Sequence, residues 1–150
     1  MTGIASSLAA ALLYLTAAGL QYREFKRDST QLFKVIVVMG SVALAFHAFS
    51  ISRAMVDEGG INFGFFKVSS LIFLIITAAT LLSLVRRPLQ NLLVIVFPLA
   101  AVSVLVSYLG PGTRQPFAEL DSSMLLHIGL SVAAYGVLTC LLYTSDAADD

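Results

Sequence analysis

The chain has 150 residues, of which 58% are hydrophobic and 12% charged, with zero formal net charge and a mean hydropathy of +0.90. Soluble domains carry about a quarter charged residues; half that share, placed between apolar runs of membrane length, argues against a soluble domain and for an integral membrane protein. A single cysteine, Cys140, leaves no disulfide to form within the chain, and no phosphate-binding loop, dinucleotide fingerprint or CxxC pair occurs.

Five apolar stretches follow one another: 3–20, 32–52, 63–85, 89–109 and 124–143. Each spans about 30 Å of hydrocarbon as a helix. Backbone in lipid must satisfy its own hydrogen bonds, so the predicted fold class is all-α, a polytopic bundle of five membrane helices. The first stretch has no positive charge ahead of it and a basic cluster behind it. That order is the reverse of a cleaved secretory signal, so it reads as a retained helix.

The first loop, 21–31, carries Arg23, Lys26 and Arg27, with Lys34 behind it, against Glu24 and Asp28. The second holds Arg53 with Asp57, Glu58 and Gly59-Gly60. The third is Arg86-Arg87-Pro88, with no acid nearby, and the fourth, 110–123, holds Arg114 with Glu119 and Asp121. Basic residues thus concentrate in the first and third loops, which predicts that these are cytoplasmic and that the N-terminus lies outside.

On the second helix Gly40, Ala43, His47, Ser50 and Ala54 share one stripe, and small residues of this kind permit close helix approach. Lys67, near the start of the third helix, is placed to snorkel to the interface. Pro98 predicts a kink in the fourth helix, which Gly110-Pro111-Gly112 ends. Residues 115–120 read as a short amphipathic turn at the outer surface. Asp121-Ser122-Ser123 reads as the capped start of the fifth helix, on which His127, Ser131 and Tyr135 form a polar edge.

His47 and His127 are the two histidines of the chain. With the topology above, both fall near the outer face. An ionisable side chain at membrane depth is a functional-site hypothesis, and imidazole is a common ligand of haem iron and other metals. The plain alternatives are a histidine satisfied by a neighbouring helix for His47 and a water-exposed interfacial residue for His127. Every Asp and Glu falls in a loop or at the C-terminal end, which argues against a proton-coupled transporter built on His47.

The last residues, 140–150, break the apolar pattern from Tyr143 onward. They resemble a translated transposon-type sequencing-library adapter. That resemblance implies a native membrane domain over 1–139, a gene product that continues past about Thr139, and a non-native tail over 140–150, irregular and unpacked from Tyr143. Without the tail the chain has nine basic and six acidic residues.

Three segments carry a resemblance to a family. They are Ala45-Phe46-His47-Ala48 with Ser52-Arg53; the run from Asn62-Phe63-Gly64-Phe65-Phe66-Lys67 through Leu71; and Met124-Leu125-Leu126-His127-Ile128-Gly129-Leu130-Ser131 with Ala134-Tyr135. Together they resemble the cytochrome c assembly membrane proteins (CcsA, CcmC and HemX-like), closest to the bacterial inner-membrane YpjD-type branch. The resemblance implies a multi-pass protein of the bacterial inner membrane that handles haem at its outer face during cytochrome c maturation. It implies haem as cofactor, held weakly or not at all by these 150 residues alone, with His47 and His127 as its iron ligands. Apocytochrome c or another assembly subunit would be the partner, and nucleic acid would not. No catalytic nucleophile is visible, and the tryptophan-rich segment of the assembly enzymes has no counterpart in a chain without Trp. The alternative reading is a non-catalytic membrane regulator or assembly partner that binds no haem.

Overall fold

Each apolar run forms a helix. The computed structural model describes residues 2–57, 60–62, 64–85, 89–109, 114–116 and 121–146. Five helices make up the all-α architecture: α1 Thr2–Arg27, α2 Phe33–Met55, α3 Phe65–Ser83, α4 Leu93–Leu109 and α5 Ser122–Asp146. A single 3-10 turn, Gln90–Leu92, leads into α4. The first four helices are long and apolar enough to cross a bilayer, so the chain is a multi-pass membrane protein. In α5 the described apolar stretch, Ser122–Leu138, is shorter than a full span.

α1 is the hub, packing most extensively against α2 and α4. Its inner face is built from Ser7, Ala10, Ala11, Tyr14, Ala17 and Ala18, all buried. These recur at three- and four-residue spacing, and their small side chains let two neighbouring backbones come close. The opposite face presents Ile4, Leu8, Leu12 and Leu15, which are exposed as lipid-facing residues should be. The same division appears on α2, where Val35, Val38, Val42, Phe46 and Phe49 are exposed. Its predicted stripe faces inward: Gly40, Ala43, His47 and Ser50 are buried and Ala54 half-buried. α3 joins α2 to α4, and α5 packs on α3, where Gly136 fits against Ile75.

α1 outruns its apolar stretch. The first loop was expected to begin at Gln21, yet the helix continues to Arg27. Residues 21–27 are amphipathic: Gln21 and Glu24 turn inward and are buried, while Arg23, Lys26 and Arg27 are exposed. The helix ends in a Schellman motif. Asp28 takes a left-handed φ of 47°, the Asp28 N–H donates to the Phe25 carbonyl, and the Ser29 N–H donates to the Glu24 carbonyl. Glu24 Oε2 then accepts the Leu32 N–H at 2.8 Å, placing a negative charge where the α2 N-terminus favours it.

The second and fourth connections are not purely irregular. Val56–Asp57, Gly60–Asn62 and Arg114–Pro116 form a three-stranded antiparallel sheet, with Val56 opposite Ile61 and Ile61 opposite Gln115. This replaces the amphipathic turn expected at 115–116; residues 117–120 lie outside the described ones. A sheet shared by these two connections requires them to lie at one end of the bundle. The α1 C-terminus and the turn before α4 meet at the other end. The up-and-down order inferred from charge is thereby satisfied, without fixing which end faces the cytoplasm.

Pro98 sits inside α4, Leu93–Leu109, where it removes a donor to the Val94 carbonyl. One further expectation meets the structure differently. The irregularity expected from Tyr143 does not begin there, because α5 stays helical through Asp146. The local reason is that 140–146 contains no Gly or Pro to break a helix already running. Residues 147–150 lie outside the described ones.

Two predictions follow from this packing. A Cβ added at Gly40 would run into the buried ring of Phe97. Gly40→Ala gains helix propensity but overpacks the α2–α4 contact, so it should lower stability by about 1–3 kcal/mol in a detergent unfolding titration. At the start of α5, the Ser123 hydroxyl donates to Asp121 Oδ2. That bond, with the backbone N–H groups of Ser123 and Ser122, holds the carboxyl below its ordinary range. A carboxyl depressed in the folded state stabilises above its unfolded pKa, and the contribution is lost as pH falls through the folded value. Amide protection in the first turn of α5, measured against the intrinsic exchange rate at each pH, should therefore be high at neutral pH and fall on acidification below about pH 4. The same amides in Asp121→Ala should be poorly protected at both.

Candidate functional site

The bundle core contains more polar side chains than a membrane interior tolerates without partners. Most are satisfied within their own helix. The Thr77 and Thr80 hydroxyls donate to the carbonyls of Phe73 and Ile76 at 2.7 and 2.8 Å, and those of Ser103 and Ser107 donate to Ala100 and Val104. Such back-bonding hides a hydroxyl at little cost and says little about function.

Two pairs reach between helices. Ser7 donates to the Gly3 carbonyl at 3.0 Å, so the Ser7–Ser50 bond that ties α1 to α2 has Ser50 as donor. One turn along α2, His47 is fully buried, and its Nε2 lies 2.9 Å from Ser70 Oγ on α3. The Tyr14 ring of α1 stands edge-on to the imidazole with centroids 5.9 Å apart, and Phe97 of α4 packs on the other side of Tyr14 at 5.4 Å. Four helices thus converge on His47 and Tyr14.

His47 Nδ1 has no partner, and neither does the Tyr14 hydroxyl, which faces Thr77 without forming a bond of regular geometry. Either tautomer of His47 leaves Nδ1 unpaired. If Nε2 accepts the Ser70 proton, Nδ1 is an unsatisfied N–H. If Nε2 donates to Ser70, Nδ1 is a free lone pair. The second arrangement is that of a metal-bound imidazole, whose other nitrogen donates to a supporting acceptor.

His127 has different surroundings. It is exposed in the second turn of α5, and the Ser131 hydroxyl donates to its carbonyl at 2.8 Å. Below it on the same helix, Ser131, Ala134, Tyr135 and Leu138 line a shallow groove of about 310 Å³. The two histidines differ in setting: His47 is buried against Tyr14 of α1 and Ser70 of α3, and His127 is open on α5. Both lie toward the end of the bundle that carries the sheet. Among the described residues no group of three or more His, Cys, Asp or Glu is placed to hold a metal ion.

His127 carries an exposed imidazole one turn from the shallow apolar groove, as a ligand to haem iron would require. His47 offers a free lone pair in one tautomer but is fully buried, so an iron could reach it only if its surroundings rearranged. Sequence reading singled out both histidines but not Tyr14 or Ser70 as their neighbours. The available signal was a tyrosine set in the Ala- and Ser-rich face of α1. Lys67, half-buried in the first turn of α3, has the position expected for a snorkelling side chain.

The Ser70 bond is open to test. Ser70→Ala leaves His47 with both nitrogens unpaired and should cost about 1–3 kcal/mol. The double variant His47→Leu, Ser70→Ala removes both partners and should be more stable than Ser70→Ala alone in the same unfolding titration. Comparison of the chain with family models, curated proteins and solved structures finds no match.

Proposed function

We propose that this membrane protein handles haem in cytochrome c maturation, at the outer face of a bacterial inner membrane. What carries the reading is the placement of the chain's two histidines toward one end of the bundle, His127 exposed above an apolar groove and His47 in the core with a free Nδ1. The resemblance of the segments around both histidines to cytochrome c assembly proteins adds to it. The basic first and third loops support an outer position for the sheet-bearing end by the positive-inside rule.

In this reading His127 is the accessible ligand and His47 a second one reached when the core opens. Ser70 would hold the His47 ring by accepting its Nε2 proton. Haem, when bound, would supply the iron and the vinyl groups; the chain's own residues would bind, orient and shield it. Apocytochrome c or another assembly subunit would provide the thiols.

A second reading has its own observation. His47 is fully buried and bonded to Ser70, as a purely structural histidine would be. A regulator or assembly partner that binds no haem would need nothing more.

Absorbance spectroscopy separates the two. The gene product recovered from source DNA, purified and reconstituted with haem, should show a Soret band. His127→Ala should weaken it by at least about tenfold in affinity, the value of one lost axial ligand at 1.4 kcal/mol or more. No Soret band would leave the haem-free reading, and a band unchanged in both His47→Ala and His127→Ala would remove these histidines from it.

A further inference from the structure

At the end of the bundle away from the sheet, a polar cavity of about 170 Å³ opens where the α1 C-terminus meets the turn before α4. Gln21 and Glu24 of α1 line it together with Asp28, and Gln90 and Asn91 face them from the turn. Gln21 is 4% exposed and Glu24 6%. Glu24 has one oxygen committed to the Leu32 N–H and Ser29 hydroxyl, which leaves the other available. The Gln21 amide lines the cavity and meets no hydrogen-bond partner among the described residues. The Gln21 amide opens onto this cavity, where a ligand can pair with it.

The surroundings identify the kind of ligand. The lining is dominated by carboxylate, amide and hydroxyl oxygens, so the site favours a cation that donates hydrogen bonds. A bare divalent ion fits poorly, since it takes six or more close oxygens or a shell of waters, and only two carboxylates are present, one of them half engaged. A quaternary ammonium also fits poorly, because it has no N–H and seeks aromatic faces. A primary ammonium has three donors and suits Glu24, the Gln21 carbonyl and an amide of the turn.

The cavity lies just beyond the apolar part of α1, where a bilayer spanned by that helix would place its headgroups. Phe25 is 56% exposed on its rim, and Tyr22 is exposed nearby with Lys26 Nζ 5.3 Å from its ring centre. Exposed Arg23, Arg27 and Lys34 flank the cavity-lining residues in sequence, on the last turns of α1 and the first turn of α2. A ligand with an ammonium joined to a phosphate answers both signs. We propose that this cavity binds the primary ammonium of an aminophospholipid headgroup, its phosphate held by these basic residues of α1 and α2.

The full chain in nanodiscs of equal phosphatidylethanolamine and phosphatidylcholine tests this by native mass spectrometry of the retained lipid. The ethanolamine lipid should be retained about tenfold over the choline lipid, the worth of one charge-assisted hydrogen bond. Gln21→Met and, separately, Asn91→Leu should bring retention close to parity with helical content unchanged. Asn91 is exposed, so its variant serves even if the buried one misfolds. Free ethanolamine should compete weakly; if it binds fully without lipid, the ammonium site stands but its source is a soluble amine, and the lipid assignment falls. Equal retention of the two lipids, or a preference that survives both substitutions, would overturn the site. Binding of Ca²⁺ or Mg²⁺ alone, abolished by Asp28→Asn while lipid retention is unchanged, would replace it with a metal site.

Discussion

The rest of the bundle depends on how closely α2 and α4 approach α1. In lipid there is no hydrophobic drive to press helices together, because the tails are as apolar as the side chains. Association must come from close packing and from hydrogen bonds between helices. The Ser7, Ala10, Ala11, Ala17 and Ala18 face of α1 supplies the first, and the Ser7–Ser50 bond supplies the second. Larger residues along this face would hold the backbones apart. Tyr14, the one large side chain in the middle of that face, fills the space among the helices and brings its ring against both His47 and Phe97.

That close approach is what makes the core polar groups consequential. A hydroxyl that bonds back to its own helix is indifferent to its neighbours. His47 is not, because its ring cannot reach its own backbone carbonyls in that way, and it needs Ser70 from α3. Once Nε2 is paired, geometry leaves Nδ1 and the Tyr14 hydroxyl as the buried atoms without partners. Unpaired polar atoms cost more in an apolar interior than in water. They therefore mark the part of the core where a ligand, a proton or a change of packing would gain most.

The two ends of the bundle are built differently. At one end the connections pair their backbones into a small sheet, which satisfies donors and acceptors without side chains. At the other, α1 extends past the apolar stretch and uses side chains: Glu24 holds the α2 N-terminus while Gln21 faces a cavity.

The sequence by itself determined the helical membrane architecture, because apolar runs of membrane length allow no other backbone arrangement in lipid. It also determined the inward stripe of α2, since helical periodicity puts Gly40, Ala43, His47 and Ser50 on one face whatever they meet. It pointed to the start of α5, where Asp121 and Ser123 provide a local cap. Only the tertiary structure decided what those faces met. That His47 pairs with Ser70 and abuts Tyr14 depends on which helices pack together, and side chains 23 and 33 positions away leave no periodic trace of that choice. That His127 stays open while His47 is enclosed is likewise a matter of which helices pack together. The amphipathic extension of α1 escaped a reading based on apolar length, since Gln21 and Glu24 are buried by their neighbours rather than by their own hydrophobicity. The strands were hidden because two or three residues are too few to show alternation, and their pairing joins connections far apart in the chain.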